Sequence, residues 1–240
     1  MHISNLGKSG ITPSFWRRIA RRFHTILDPL RGPSGRRHGL VGPAHMWRKK
    51  RAFQINFLKK HGLQPHHRLI DVGCGTLRGG IPIIDYLDAE NYTGLDVREM
   101  VLEEARMELV ESGLEHKQPR LALSDDFDSL ELGAPFDYVW GYAVLIHMTD
   151  DISAACMRMV SRHLRVGGRF YANVYFSDRQ EGRWDQFPVV FRSLDFYSQM
   201  AQSNNFEMRV LGTLTSLGHH CGHSGDYTQM LEFTRVDEQS

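Results

Sequence analysis

Directly after the apolar run Leu69-Ile70-Asp71-Val72 the chain reads Gly73-Cys74-Gly75-Thr76-Leu77-Arg78-Gly79-Gly80, and a helical stretch follows from Ile81. Glycines at the end of a strand let the backbone approach a ligand closely, and a helix N-terminus behind them offers free N–H groups. Asp96 stands 21 residues after Gly75, at the tip of the strand-like run Tyr92–Asp96, where a carboxylate can accept both hydroxyls of an adenosine ribose. A dinucleotide site would require Gly-x-Gly-x-x-Gly, but Arg78 occupies the sixth position, so that fingerprint fails. Asp71, two residues before the first glycine, would repel a pyrophosphate and favour a cationic ligand.

From residue 66 short apolar runs alternate with helical stretches. Leu69–Val72, Tyr92–Asp96, Leu121–Leu123, Phe136–Trp140 and Arg169–Phe176 read as strands. Ile81–Leu87, Val101–Val110 and the spacing of Ile152, Ala155, Met159, Val160 and His163 read as helices. Right-handed crossovers turn such an order into a parallel sheet covered on both faces. Phe206–Leu211 and Tyr227–Arg235 are both strand-like with only a loop between them, which predicts an antiparallel pair at the sheet edge. The fold class expected is thus α/β and doubly wound.

At these residues the chain resembles the class I S-adenosylmethionine-dependent methyltransferases. Asp71-x-Gly73-x-Gly75 looks like their first motif and Asp96 like their ribose-binding acid. Ser124-Asp125-Asp126-Phe127 resembles the adenine-reading motif and Phe136–Gly141 the fourth strand. Leu164-Arg165-Val166-Gly167-Gly168 resembles the turn before the fifth strand, with Val166 where proline often stands. The resemblance covers roughly residues 66–235. It implies a mostly parallel, seven-stranded Rossmann-like sheet with an antiparallel edge strand, and S-adenosyl-L-methionine as cofactor. The implied cofactor-binding residues are Asp71, Gly73, Cys74, Gly75, Arg78, Asp96, Val97, Asp125, Asp126, Phe127, Gly141 and Tyr142.

His147 follows the fourth strand and precedes Thr149-Asp150-Asp151, a pattern suited to an N-cap and acidic first turn. A helix N-terminus disfavours imidazolium, which leaves His147 neutral and able to take a proton. In related small-molecule and sugar methyltransferases a similar apolar-apolar-His segment occurs here, so the resemblance makes His147 the candidate catalytic base; capping the loop is the competing role. His219, His220, Cys221 and His223 are of metal-ligating types, but a short His-rich loop between the last two strands better suits polar surface or pocket wall, and no metal is expected.

The net charge of +1 hides an asymmetry: residues 1–60 hold 14 Lys and Arg against the single acid Asp28, leaving 15 against 27 in residues 61–240. Composition therefore draws a boundary near residue 60, with 1–60 a basic helical extension or lid and 61–240 the methyltransferase domain. Phe15, Ile19, Phe23 and Leu27 recur at helical spacing after Thr12-Pro13, with Arg17, Arg18, Arg21 and Arg22 on the remaining surface. That arginine face suits a lid over the substrate, a patch for anionic lipid or polyanion, or a solvated surface. A second helix is expected from Met46 to His61, stopped by Gly62.

Three well-separated cysteines and the lack of a long apolar run or secretion signal point to a soluble protein of a reducing, cytoplasmic compartment. The acceptor expected is an oxygen or nitrogen of a small molecule or carbohydrate. A lipid-linked or otherwise anionic substrate reached through the basic helix and a homodimer are further expectations. The alternative is RNA or another nucleic acid, motivated by the basic segment. Against it, the fourth strand ends in Gly141-Tyr142-Ala143-Val144, not in the Asn/Asp-Pro-Pro-aromatic motif of many base-amino methylating enzymes, and no cysteine follows a proline.

Overall fold

The alternating strands assemble into one sheet in the computed structural model, which describes residues 40, 46–133, 135–176, 182–184, 187–222 and 224–237. The strands are β1 (Leu69–Val72), β2 (Tyr92–Asp96), β3 (Arg120–Leu123), β4 (Phe136–Gly141), β5 (Leu164–Val174), β6 (Gly182–Trp184), β7 (Phe187–Val189), β8 (Phe206–Thr213) and β9 (Gln229–Arg235). The helices are α1 (Trp47–Lys60), α2 (Gly80–Tyr86), α3 (Glu99–Glu111), α4 (Asp150–His163) and α5 (Leu194–Gln202). The seven-stranded sheet has the order β3-β2-β1-β4-β5-β9-β8, and β6 and β7 form a separate antiparallel hairpin. Strands β3 to β5 in that order pair in parallel, and β9 is antiparallel to both β5 and β8. The reversed strand therefore lies one place inside the edge, and β8 is the edge itself.

Strand periodicity decides which side chains meet which helices. Along β1, Leu69 joins the cluster built with Phe53, Phe57, Ile83 and Leu102, whereas Ile70 and Val72 join Met157, Val160 and Tyr197 on the other face. β4 repeats the alternation, with Tyr138 and Trp140 on the first face and Val139 on the second. All four β1 residues are buried because helices cover both faces, so the strand reads as an apolar run. Each fully buried Leu, Ile or Phe contributes about 1.5–3 kcal/mol of transfer free energy.

α1 belongs to this core. Phe53, Gln54, Phe57 and Leu58 are buried, while Arg48, Lys49, Lys59 and Lys60 are exposed. Gln54 Oε1 accepts from Trp140 Nε1 at 2.8 Å, and Arg51 pairs with Glu108 at 2.6 Å. Charge places the boundary near residue 60; packing places Trp47–Lys60 with the sheet, because a charge count is blind to the apolar face between the cations. The expected helix around Phe15–Leu27 lies outside the described residues, as does His223.

Sequence reasoning did not anticipate α5 or the β6–β7 hairpin. α5 carried a readable signal, since Ser193 at the N-cap accepts from Phe196 N at 3.2 Å and Tyr197, Met200 and Ala201 are buried at helical spacing. The expected turn at Leu164–Gly168 is the irregular beginning of β5, which starts as soon as α4 ends and shifts register against β4 between Phe136 and Tyr138.

Candidate active site

At the C-terminal ends of the parallel strands, where open α/β sheets bind ligands, lies a cavity of about 1100 Å³. Val72, Gly73, Gly75 and Arg78 from the glycine loop, Asp96 and Val97 from the end of β2, and Asp125, Asp126 and Phe127 after β3 line it. Tyr142 and His147 after β4 also stand on its wall. Residues 73–75 can turn there because Gly73 has φ 69° and a Cβ on it would stand 2.5 Å from Val144 Cγ2.

Asp96 is 6% exposed and already organised: its Oδ2 accepts from Gly75 N at 3.1 Å, and its Oδ1 from Arg98 N at 3.0 Å and Arg98 Nε at 3.2 Å. The carboxylate thus braces the glycine loop that it faces. Asp126 turns its Oδ1 onto its own loop, accepting from Asp128 N and Ser129 N, and the Ser129 hydroxyl, then these backbone bonds, hold its carboxyl below the usual range.

Three expected cofactor residues stand behind the cavity wall. Asp71 is wholly enclosed, takes a 2.6 Å hydrogen bond from Tyr92 Oη, and is pushed up to about 7, chiefly by burial and then by Asp96. Cys74 is buried against Gly94, its N–H given to Leu95 O at 2.9 Å, and burial raises its thiol well above the ordinary value. Gly141 packs against Phe170 and Val144.

His147 ends the short 3-10 turn Leu145–His147, and its Nδ1 lies 2.8 Å from Pro188 O. A carbonyl only accepts, so Nδ1 carries the proton and Nε2 is the basic nitrogen of the neutral ring. Burial lowers its pKa, the Pro188 carbonyl opposes that, and Arg98 lowers it further. Thr149 occupies the N-cap position of α4, but its hydroxyl makes no capping bond; Asp150 and Asp151 supply the acidic first turn.

Sequence reasoning missed a buried hydrogen-bonded chain that begins on the cavity wall. Tyr142 Oη lies 2.7 Å from His219 Nε2, and His219 Nδ1 lies 2.5 Å from Asp226 Oδ1. Asp226 Oδ2 also accepts from Cys221 N at 3.0 Å and Gly222 N at 2.8 Å. The carboxylate fixes the Nδ1–H tautomer, so Tyr142 donates to Nε2. His219, Cys221 and Asp226 are close enough to share an ion, yet both nitrogens of the ring are engaged, and the cations Lys50 and Arg78 are near. Phe176, Arg183, Phe187 and Phe191 also line the cavity, so the insert after β5 does border it.

The cavity fits S-adenosylmethionine: a buried carboxylate, Asp96, at the tip of β2, an apolar wall from Val97, Phe127, Ile152 and Ala155, and a backbone loop free of side chains at Gly73 and Gly75. Residues 70–170 match the family model described as a methyltransferase domain. Among solved structures, the chain is similar to magnesium protoporphyrin IX methyltransferase from Synechocystis PCC 6803 with bound S-adenosylmethionine, at 18% identity and TM-score 0.64, covering 96% of this chain and 100% of that one. It is also similar to an S-adenosylmethionine-dependent methyltransferase from Clostridium acetobutylicum ATCC 824, at 14% identity and TM-score 0.60, covering 80% and 92%. The glycopeptide N-methyltransferase MtfA complexed with S-adenosylhomocysteine matches at 15% identity and TM-score 0.59, covering 77% and 89%. Among the described residues no helix is long and apolar enough to cross a membrane. With the family match over residues 70–170, the strand order and the site taken together, the chain carries a methyltransferase domain of the class I S-adenosylmethionine-dependent fold.

Proposed function

We propose that the protein methylates an oxygen or nitrogen of a small-molecule or carbohydrate acceptor, with His147 as the base. The observation that carries this reading is that one cavity is lined by both Asp96 and His147, with aromatic walls at Phe176, Phe187 and Phe191 between the hairpin and β5. Bound S-adenosylmethionine supplies an electrophilic methyl group on a sulfonium centre. Asp96 would hold the ribose, Phe127 and Val97 would face the adenine, and the backbone at Gly73 and Gly75 would pass beside the methionine half. Neutral His147 would accept the acceptor's proton at Nε2, while Pro188 O keeps the ring oriented. Much of the remaining rate enhancement is positioning. The magnesium protoporphyrin IX and glycopeptide methyltransferases of similar fold are named for acceptors of this general kind.

Calorimetry with S-adenosylhomocysteine tests the cofactor site, and incubation with methyl-labelled cofactor and panels of sugars, hydroxy acids and amines tests the acceptor class. Label incorporated only into RNA or DNA, with affinity falling steeply as salt rises, would replace this reading with the nucleic-acid one.

A further inference from the structure

We infer that the acceptor is a planar aromatic molecule whose ring lies against Phe176, Phe187, Phe191 and Tyr227 and whose ring hydroxyl meets His147. This rests on the methyltransferase reading of the same cavity and names the substrate class within it.

The four aromatic side chains come from three separate segments. Phe176 follows β5, Phe187 and Phe191 belong to the hairpin and the stretch after it, and Tyr227 ends the short 3-10 turn Ser224–Tyr227 before β9; all four line the cavity. Strand register brings two of them to one place. Val174 pairs with Gln229 where β5 and β9 meet, and Phe176 and Tyr227 each stand two residues past that pair. The Tyr227 ring is 73% exposed at the cavity, so a flat ligand can still cover it.

Phe187 joins this wall to the base and to the cofactor site. Its ring centre is 5.6 Å from that of His147 and 5.6 Å from the Arg98 guanidinium carbon, and Arg98 Nε is 3.2 Å from Asp96 Oδ1. The aromatic face thus adjoins His147 on one side and, through Arg98, the carboxylate proposed for the ribose on the other.

Two chemical observations favour a ring hydroxyl over a sugar hydroxyl. A polyhydroxy ligand is recognised by several uncommitted donors and acceptors, but the buried amide of Asn173, beside Val174 on the cavity wall, is already spent. Its Oδ1 accepts from Ala143 N at 2.6 Å, and its Nδ2 donates to Thr228 Oγ1 at 3.0 Å. Burial also weakens the His147 imidazole as a base. A phenol, with a pKa of about 10, gives up its proton to such a base far more readily than an alkyl hydroxyl does. In the reaction the ring oxygen bonds to the sulfonium methyl carbon as the carbon–sulfur bond breaks, the electron pair staying on sulfur and the proton passing to His147 Nε2. The products are an aryl methyl ether and S-adenosylhomocysteine.

The experiment titrates 2-naphthol, 4-hydroxycinnamate and methyl α-D-glucopyranoside into the S-adenosylhomocysteine-loaded protein by calorimetry. Wild type is compared with Tyr227→Ala, Tyr227→Phe, Phe187→Ala and Phe187→Tyr, and thermal melting checks each fold; because Tyr227 is exposed, its variants keep the test decisive where Phe187→Ala melts early. Saturable binding of a phenol, weakened about fivefold or more by each alanine and retained by Tyr227→Phe and Phe187→Tyr, is the expected result. With methyl-labelled cofactor, label should enter the phenol, and Tyr227→Ala should raise KM more than it lowers kcat. The inference is overturned if neither phenol binds saturably, if both bind the alanine variants as tightly as wild type, or if label enters the glucoside and neither phenol. Tight binding of S-adenosylhomocysteine by wild type in those cases leaves the proposed function standing; its failure to bind would remove the function and the inference together.

Discussion

Gln54 Oε1 accepts the indole N–H of Trp140 at 2.8 Å, and a Cβ on Gly79 would stand 2.1 Å from that same oxygen. One hydrogen bond thus joins the first helix to the fourth strand across the start of the second helix, and it exists because residue 79 has no side chain.

Gln54→Leu should leave the buried Trp140 N–H unsatisfied and destabilise the protein by about 1–3 kcal/mol. Gly79→Ala should displace the same amide and cost a similar amount. Because both changes remove one bond, the double variant should lose less than the sum. Thermal denaturation of the three variants checks this, and strict additivity would show that the two residues act independently.

Asp96→Ala should weaken S-adenosylhomocysteine by about 1.5–3 kcal/mol, the usual cost of losing a charged hydrogen bond. The loop should loosen as well, since Gly75 N donates to the same carboxylate. Unchanged affinity by calorimetry, or tighter binding of NAD than of S-adenosylhomocysteine, would count against Asp96 as the ribose acid.

His147→Ala should lower turnover by about 10²–10⁴-fold with cofactor affinity nearly intact, as for a lost general base. The active form is the neutral ring, and burial holds its pKa below 6.5. Activity should therefore fall on the acid side, with the midpoint below 6.5, and that limb should vanish in the variant. An acid limb that persists in His147→Ala would assign the titration to another group.

Asp71 has its folded pKa raised from 3.8 to about 7, so the folded state binds more protons than the unfolded state between those values. Stability contributed by this group should thus be greatest at low pH and decline as pH rises through that window. Asp71→Asn keeps an acceptor for Tyr92 and removes the titration. The melting temperature of the variant, relative to wild type, should rise between pH 5 and pH 8. A constant difference across that range would falsify the assignment.

The chain order of strands and helices, the glycine loop and the place of Asp96 at a strand tip were legible because they depend on neighbours in sequence. A period of two, a period of 3.6 and a glycine after a strand are local matters, and so was the helix Met46–His61, found as Trp47–Lys60. The acid before the glycines was legible too, although not its burial under Tyr92.

What tertiary structure alone decided are the contacts made across the sheet. Tyr142 and His219 are 77 residues apart and meet because β9 and β8 follow β5 in the sheet, which brings the loop between them over the end of β4. Lys50 is one cation of 14 in a basic segment, and only the packing of Phe53, Phe57 and Gln54 turns it toward the cavity while its neighbours Arg48 and Lys49 face outward. Sequence carries the type and spacing of such residues. Their direction follows from which apolar face each helix buries and from the order in which the strands pair, and those are properties of the assembled chain.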